Sequence, residues 1–305
     1  MRVTDHLGAA WRSAMLCGDF ESAWALNDAF LEQHGRVPAD DPRLPYHLRR
    51  VWDGCRPEGR DVLVRCYHGL GDTLQFVRYL PALRQRVASL TLEVQPQLVP
   101  LLCSFSAVDR LVPFDPAAPL PASRCDLEMM ELAHALRIHP SALPPPYLHA
   151  APAALPAANG PVIGVCWPSG EWDLRRSVPL DMLSRAVSAP RRRFVRLHPD
   201  KAQPPLAFIN ARQRLDSILT TAGLVAACDI VVSVDTMVAH LAGAMGRPVL
   251  LLLRRDADWR WGTGERCAWY PRTLLLRQEV EGDWSVPLAA LRRRLDSSEV
   301  SRAAD

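Results

Sequence analysis

Short runs rich in Val, Ile and Leu recur along this chain, each broken by glycine or proline and followed by helical spacing. That alternation restricts the fold to a few architectures. Asp61–Tyr67 is the first such run, and His68-Gly-Leu-Gly-Asp72 breaks it. From Thr73 to Val87 the apolar Leu74, Val77, Leu80 and Leu83 fall about one turn apart, which predicts a helix. Leu90–Gln95 predicts a second strand, Pro96 the first position of another helix, and Val108–Val112 and Asp126–Met130 further strands. The alternation restarts later, with strands at Pro161–Trp167, Arg193–His198, Asp229–Val234 and Pro248–Leu253. Helices are expected between them at 181–188, 222–228 and 236–245. The fold class is therefore α/β, with mainly parallel sheets wound on both faces.

Proline divides the two blocks. Between Pro140 and Pro161 the composition turns to Ser, Ala and Pro, including Pro144-Pro-Pro146, which no helix or sheet interior accommodates. The expected organisation is a helical leader at 1–57, a Rossmann-like domain at 58–150, a Pro/Ala-rich linker at 151–160, a second Rossmann-like domain at 161–290, and a C-terminal helix and tail at 291–305. In the leader, Ala9–Leu16 and Glu21–Leu31 read as two helices joined at Gly18-Asp19, a tetratricopeptide-like hairpin without a second copy. Ligands of such sheets bind outside the carboxyl ends of the strands, here in a cleft between the domains.

Composition excludes several classes. The chain is 49% hydrophobic and 23% charged, an ordinary globular balance. Thirty-six basic against thirty-three acidic residues give +3, too near neutrality to suggest nucleic acid. Lys201 is the only lysine, so anion recognition falls to guanidinium groups and backbone amides. No apolar run approaches the roughly 18 residues of a membrane span, and Met1–Leu7 lacks the apolar core of a signal peptide. A cytoplasmic protein with at most peripheral contact at the inner membrane face is expected. The eight cysteines are dispersed without any C-x-x-C, which favours reduced thiols over a zinc site.

Three constellations carry chemistry. Ser233-Val-Asp-Thr-Met-Val-Ala-His240 ends a buried strand and starts a small-residue helix; with Asp235 or Thr236 at the N-cap, first-turn amides would face a phosphate. His240 lies one turn further along the same face, although a capped core helix with a satisfied histidine fits equally well. In Gly69-Leu-Gly-Asp72 the glycines permit close approach of a ligand, and Asp72 reads either as a general base or as a helix cap. The loop Trp167–Ser177 offers Ser169, Gly170, Arg175, Arg176 and Ser177 to a diphosphate, or is simply a solvated basic loop. Asp256-Ala-Asp258 spells a metal-binding pattern short enough to arise by chance, and Arg254, Arg255 and Arg260 offer its carboxylates ion pairs instead. The incomplete glycine pattern after the first strand argues against a dinucleotide-dependent oxidoreductase.

Together, Val51-Trp-Asp-Gly54, Gly69–Tyr79, Leu92–Pro96, Ser233–Pro248, Asp258–Trp261, Trp269–Pro271 and Arg277-Gln278 resemble glycosyltransferase family 9, the ADP-heptose:lipopolysaccharide heptosyltransferase-like group, in its tetratricopeptide-associated branch. The resemblance implies a GT-B-like fold: two Rossmann-like doubly wound domains around a cleft. It also implies inverting transfer from a nucleotide sugar, without metal or other cofactor, to a glycan, lipid-linked or protein acceptor. Asp72 would be the base, and Gly71 would lie at the acceptor-side loop. Ser169, Arg175, Arg176, His198, Asp235, Thr236, Met237 and His240 would line the donor. A silent nucleotide-sugar-binding or scaffold protein is the alternative. His68 departs from the glutamine of this branch, and Trp167-Pro-Ser-Gly170 from its usual turn.

Overall fold

The computed structural model describes residues 3–33, 43–49, 51–157, 159–171, 173–199, 206–209 and 215–297, with 3–7 as backbone only. Residues 298–305 of the predicted C-terminal helix and tail (291–305), the leader residues 34–42, Lys201 and Trp172 lie outside these residues. The chain forms two compact units, 1–143 and 144–305.

The first unit begins with α1 (Val3–Cys17) and α2 (Phe20–Gln33), packed as a hairpin. Gly18 turns the chain at φ +74°, a left-handed conformation natural to glycine. The Asp19 carboxylate accepts the Ser22 N–H at 3.1 Å and caps α2. Asp28 then ties α2 to His134 and Arg137, with His134 Nε2 at 2.9 Å.

The sheet of this unit contains β1 (Asp61–Arg65), β2 (Ser89–Val94), β3 (Arg110–Pro113) and β4 (Asp126–Glu128), all parallel in the order β3-β2-β1-β4. Arg65 ends β1 buried between two carboxylates. Its Nη1 reaches Glu93 at 2.9 Å, its Nη2 reaches Asp126 at 2.8 Å, and Nη2 also donates to the Leu120 and Pro121 carbonyls. Glu93 accepts the Leu120 N–H at 2.7 Å, so the network pins the 120–126 segment to the sheet.

The helix expected over 73–87 is broken and starts earlier: α3 (Leu70–Phe76), a 3-10 turn at Val77–Tyr79, then α4 (Leu80–Arg84). Pro81 has no N–H to return to Val77, and the backbone tightens there. Pro96 opens a 3-10 turn leading into α5 (Val99–Leu102), and α6 (Leu132–Leu136) follows β4.

The second unit is a five-stranded parallel sheet, β6-β5-β7-β8-β9, formed by β5 (Val162–Cys166), β6 (Arg193–Arg196), β7 (Ile230–Val234), β8 (Val249–Leu253) and β9 (Thr273–Arg277). Every residue of β5, β7 and β8 is buried, as expected of strands covered on both faces. On one face Ile163, Val165, Val232, Val234, Leu250 and Leu252 form a core with α7 (Leu180–Val187) and α10 (Ser285–Asp296). The packing of β5, β7 and β8 is completed by α8 (Ile218–Ala227) and α9 (Met237–Ala244).

The two units divide at 143/144, ahead of the expected 151–160 linker. The Tyr147 and Leu148 N–H groups bond the Ala244 carbonyl, and the Ala153 N–H bonds the Gly223 carbonyl at 2.8 Å. On α9, a Cβ at Gly243 would fall 2.6 Å from the Tyr270 ring. Gly243→Ala should therefore destabilise the chain by about 1–3 kcal/mol, read as a lower urea midpoint. A neutral result would mean the ring yields freely.

Candidate functional site

Each sheet has a point where its strand order reverses, and ligands of α/β sheets bind in the crevice there. In the second unit that point lies between β5 and β7, where the loops after Cys166 and after Val234 emerge.

Thr236 caps α9 with extended backbone (φ −149°, ψ 171°), but its side chain makes no capping hydrogen bond. The hydroxyl instead lies 3.3 Å from Ser233 Oγ and 3.7 Å from the Cys166 sulfur, whose thiol burial pushes up to about 11. The first-turn amides of α9 are thus left uncapped by Thr236, with Met237 half-buried at the first helical position. Arg176 comes from the facing loop: its Nη1 donates to the Asp235 carbonyl at 3.0 Å and lies 3.5 Å from the Asp235 carboxylate. Burial pushes that carboxyl up, opposed by Arg176, assisted by the Asp258 charge, and opposed again by the Trp261 indole and Arg260.

A helix N-terminus, an arginine and a half-buried threonine are groups of the kind that can bind an anion such as a phosphate. The remaining sequence candidates are placed differently. Arg175 is exposed and bound to Asp173, with Nε to Oδ1 at 2.8 Å and Nη2 to Oδ2 at 3.1 Å. Ser169 is buried, and its hydroxyl is committed to the Asp173 carbonyl at 2.8 Å, so it holds the loop together. His240 is buried, with Nδ1 3.1 Å from the Tyr270 hydroxyl and its ring 4.9 Å from that of Trp261. Of the two readings left open for it, the satisfied core histidine is the one its surroundings favour, with a side-chain hydroxyl in place of the expected backbone partner. His198 follows β6 half-buried. Asp258 pairs with Arg260 at 2.8 Å and Asp256 with Arg254 at 3.7 Å, the ion pairs that compete with metal ligation.

In the first unit the order reverses between β1 and β4. Gly69 precedes α3, and Gly71 and Asp72 lie in its first turn, half-buried. Asp72 Oδ2 accepts the Gly69 N–H at 2.9 Å, so it stabilises the turn from inside the helix and is not the N-cap residue. Gln95 Nε2 holds the His68 carbonyl at 2.9 Å, while Gln95 Oε1 accepts the Thr73 hydroxyl at 3.0 Å.

Opposite this turn the structure places Glu128, which sequence reasoning passed over. It ends β4 with its side chain 7% exposed. Its Oε2 accepts the Met130 N–H at 2.7 Å, its Oε1 is buried without a hydrogen bond among the described residues, and His68 Nε2 stands 3.9 Å from Oε1. Burial holds this carboxyl well above the usual carboxylate range, and the charges of Glu131 and Asp72 add to the effect. The available signal was an acid within the predicted strand Asp126–Met130, but its place at a strand end depends on β4 stopping at Glu128, and its significance on β4 neighbouring β1.

A carboxyl raised in the folded state binds its proton more tightly there than in the unfolded chain. Folding stability must then fall as pH rises from the ordinary value of 4.5 through the raised one. Glu128→Gln should flatten that decline, measured as unfolding midpoints at mildly acidic and mildly alkaline pH. An unchanged slope would refute the protonated buried acid.

Among the described residues no group of three or more His, Cys, Asp or Glu side chains is arranged to hold a metal ion. No described helix is long and apolar enough to cross a membrane.

Residues 214–274 match the family described as glycosyltransferase family 9 (heptosyltransferase). This stretch includes α8, β7, α9 and β8 and hence the uncapped helix mouth. Protein FlbA of Caulobacter vibrioides is 25% identical over 303 residues, covering 84% of this chain and 50% of FlbA. The chain therefore spans about half the length of this curated relative. The E. coli ADP-heptose lipopolysaccharide heptosyltransferase II has a similar fold, with a TM-score of 0.53 and 14% identity over 80% of this chain and 98% of that one. The dodecameric, iron-containing heptosyltransferase TibC of enterotoxigenic E. coli, in complex with ADP-D-β-D-heptose, also scores 0.53, at 10% identity over 82% of this chain and 78% of TibC. The fold is GT-B-like, and the segment carrying the helix mouth, 214–274, is similar to glycosyltransferase family 9.

Proposed function

We propose that this chain is an inverting glycosyltransferase that moves a sugar from a nucleoside diphosphate donor to a hydroxyl acceptor in the synthesis of lipopolysaccharide or another surface glycan. The uncapped N-terminus of α9, with Arg176 beside it and inside the family-matching stretch, is the observation that supports the reading most. The donor diphosphate would lie on the first-turn amides, each dipole contact worth about 0.3–1 kcal/mol. As the glycosidic C–O bond to the leaving diphosphate breaks, negative charge grows on its oxygens, where these amides and Arg176 stabilise it. Asp72 would take the acceptor hydroxyl proton while that oxygen forms the new bond at the anomeric carbon from the opposite face.

Nothing in this scheme passes through a metal. The iron named for TibC is said of that protein. ADP-heptose, the donor bound to TibC, is the first to test. The acceptor class stays glycan, lipid-linked or protein, the α1–α2 hairpin is taken as tetratricopeptide-like, and the work is assigned to the cytoplasmic side with at most peripheral membrane contact.

The test is a thermal-shift series with ADP and ADP-heptose. Ligand at a hundredfold excess over Kd should stabilise the chain by about 2.7 kcal/mol. Arg176→Ala should weaken ADP binding roughly 10- to 100-fold, as loss of a charge-assisted hydrogen bond predicts. Equal affinity in that variant would remove the donor site from this helix mouth. Binding without transfer to any hydroxyl acceptor would favour a silent binding protein.

A further inference from the structure

Cys55 and Cys125 are 70 residues apart in sequence, yet their sulfurs stand 3.0 Å apart, both as free thiols. Both backbones are anchored. The Cys55 N–H bonds Asp53 Oδ1 at 2.7 Å and its carbonyl accepts the Trp52 indole N–H at 2.9 Å. The Cys125 carbonyl accepts the Leu63 N–H of β1 at 3.0 Å, which fixes it at the entrance to β4. Gly54, between the anchors, turns at φ +81°. Of the remaining cysteines, Cys17 and Cys103 are exposed, and Cys66, Cys166, Cys228 and Cys267 are buried.

A disulfide places its sulfurs about 2.05 Å apart, so closure asks for a sulfur displacement of roughly 1 Å between residues already facing each other.

We propose that Cys55 and Cys125 form a thiol–disulfide exchange site whose co-reactant is a low-molecular-weight disulfide of the glutathione class. Cys55 is half-exposed and attacks first. Its thiolate displaces one glutathione thiolate and forms a mixed disulfide. Cys125, buried behind it, then gives up its proton to solvent, and its sulfur attacks the Cys55 sulfur and expels the second glutathione. The protein loses two protons and two electrons, and one glutathione disulfide gains them to become two glutathione thiols.

The surroundings set the rate. Burial pushes both thiols up, the neighbouring Asp53 charge adds to this, and Arg60 pulls both down. The thiolate is scarce at neutral pH, so exchange is slow there and accelerates as pH rises. The closed bond clips the segment entering β1 to the start of β4 and encloses the turn bearing Asp72. The inference is independent of any transferase activity.

The experiment treats the reduced full chain with glutathione disulfide at neutral and alkaline pH, then maps non-reduced peptides by mass spectrometry. The wild type should yield a peptide joining 55 to 125, two hydrogens lighter than the separate thiols. It should form faster at alkaline pH and revert with dithiothreitol. Cys125→Ser should stop at one glutathione on Cys55, whereas Cys55→Ser should leave Cys125 unmodified. The linked wild type should melt roughly 5–10 °C above its reduced form. Glutathione on Cys17 and Cys103 with Cys55 and Cys125 still reduced would overturn the proposal. A stable mixed disulfide at Cys55 in the wild type would overturn it equally.

Discussion

Asp72→Asn should abolish sugar transfer while leaving the chain folded and able to bind ADP. The substitution removes the basic oxygen but keeps an amide oxygen able to accept the Gly69 N–H, which Asp72 holds at 2.9 Å. Turn stability and catalysis can therefore be separated at this residue. A lost general base costs about 10²–10⁴ in rate, so kcat should fall by that factor with thermal shift by ADP unaltered. Asp72→Ala should lose transfer as well and, with the turn bond gone, melt at a lower temperature. Full turnover in the asparagine variant would remove the base assignment. A variant that lost both ADP binding and transfer would point to a structural role instead.

The largest stability effect is expected at Arg65→Met. The guanidinium is 3% exposed and lies between Glu93, 1% exposed, and Asp126, 10% exposed. Removing it leaves two desolvated carboxylates facing each other and frees the Leu120 and Pro121 carbonyls. Breaking one side of such a buried pair costs about 3–5 kcal/mol, against total stabilities of roughly 5–15 kcal/mol. The urea midpoint should drop accordingly. A second change, Glu93→Gln, should restore part of the loss, because it removes one stranded charge while keeping an acceptor for the Leu120 N–H. A single variant within about 1 kcal/mol of wild type would mean that water reaches these carboxylates.

Much of the architecture was legible in the chain because parallel strands buried on both faces read as nearly uninterrupted apolar runs. Val249–Leu253 is wholly apolar, and Ile230–Val234 is interrupted only by the small Ser233. The start of α9 was legible from the Asp235-Thr236 pair that follows the buried strand. What was hidden depends on contacts distant in sequence. His240 meets Tyr270 thirty residues later. Arg176 turns toward Asp235 because the turn at Leu174–Arg176 directs the adjacent Arg175 onto Asp173. Glu128 gains its meaning only from the pairing of β4 with β1. Local propensity contains none of this. The break between α3 and α4 is the opposite case, since Pro81 was visible and its missing N–H was outweighed by the apolar spacing around it.

The proline-rich stretch decides how this chain can be dissected. Tyr147, Leu148 and Ala153 supply donors to the carbonyls of Ala244 and Gly223, and Pro146 packs within 3.4 Å of where a Gly246 Cβ would stand. A fragment starting at Pro161 would strip those carbonyls and expose glycine surfaces meant to be covered. One starting at Pro144 carries its own cover, so the severable point lies ahead of the proline trio.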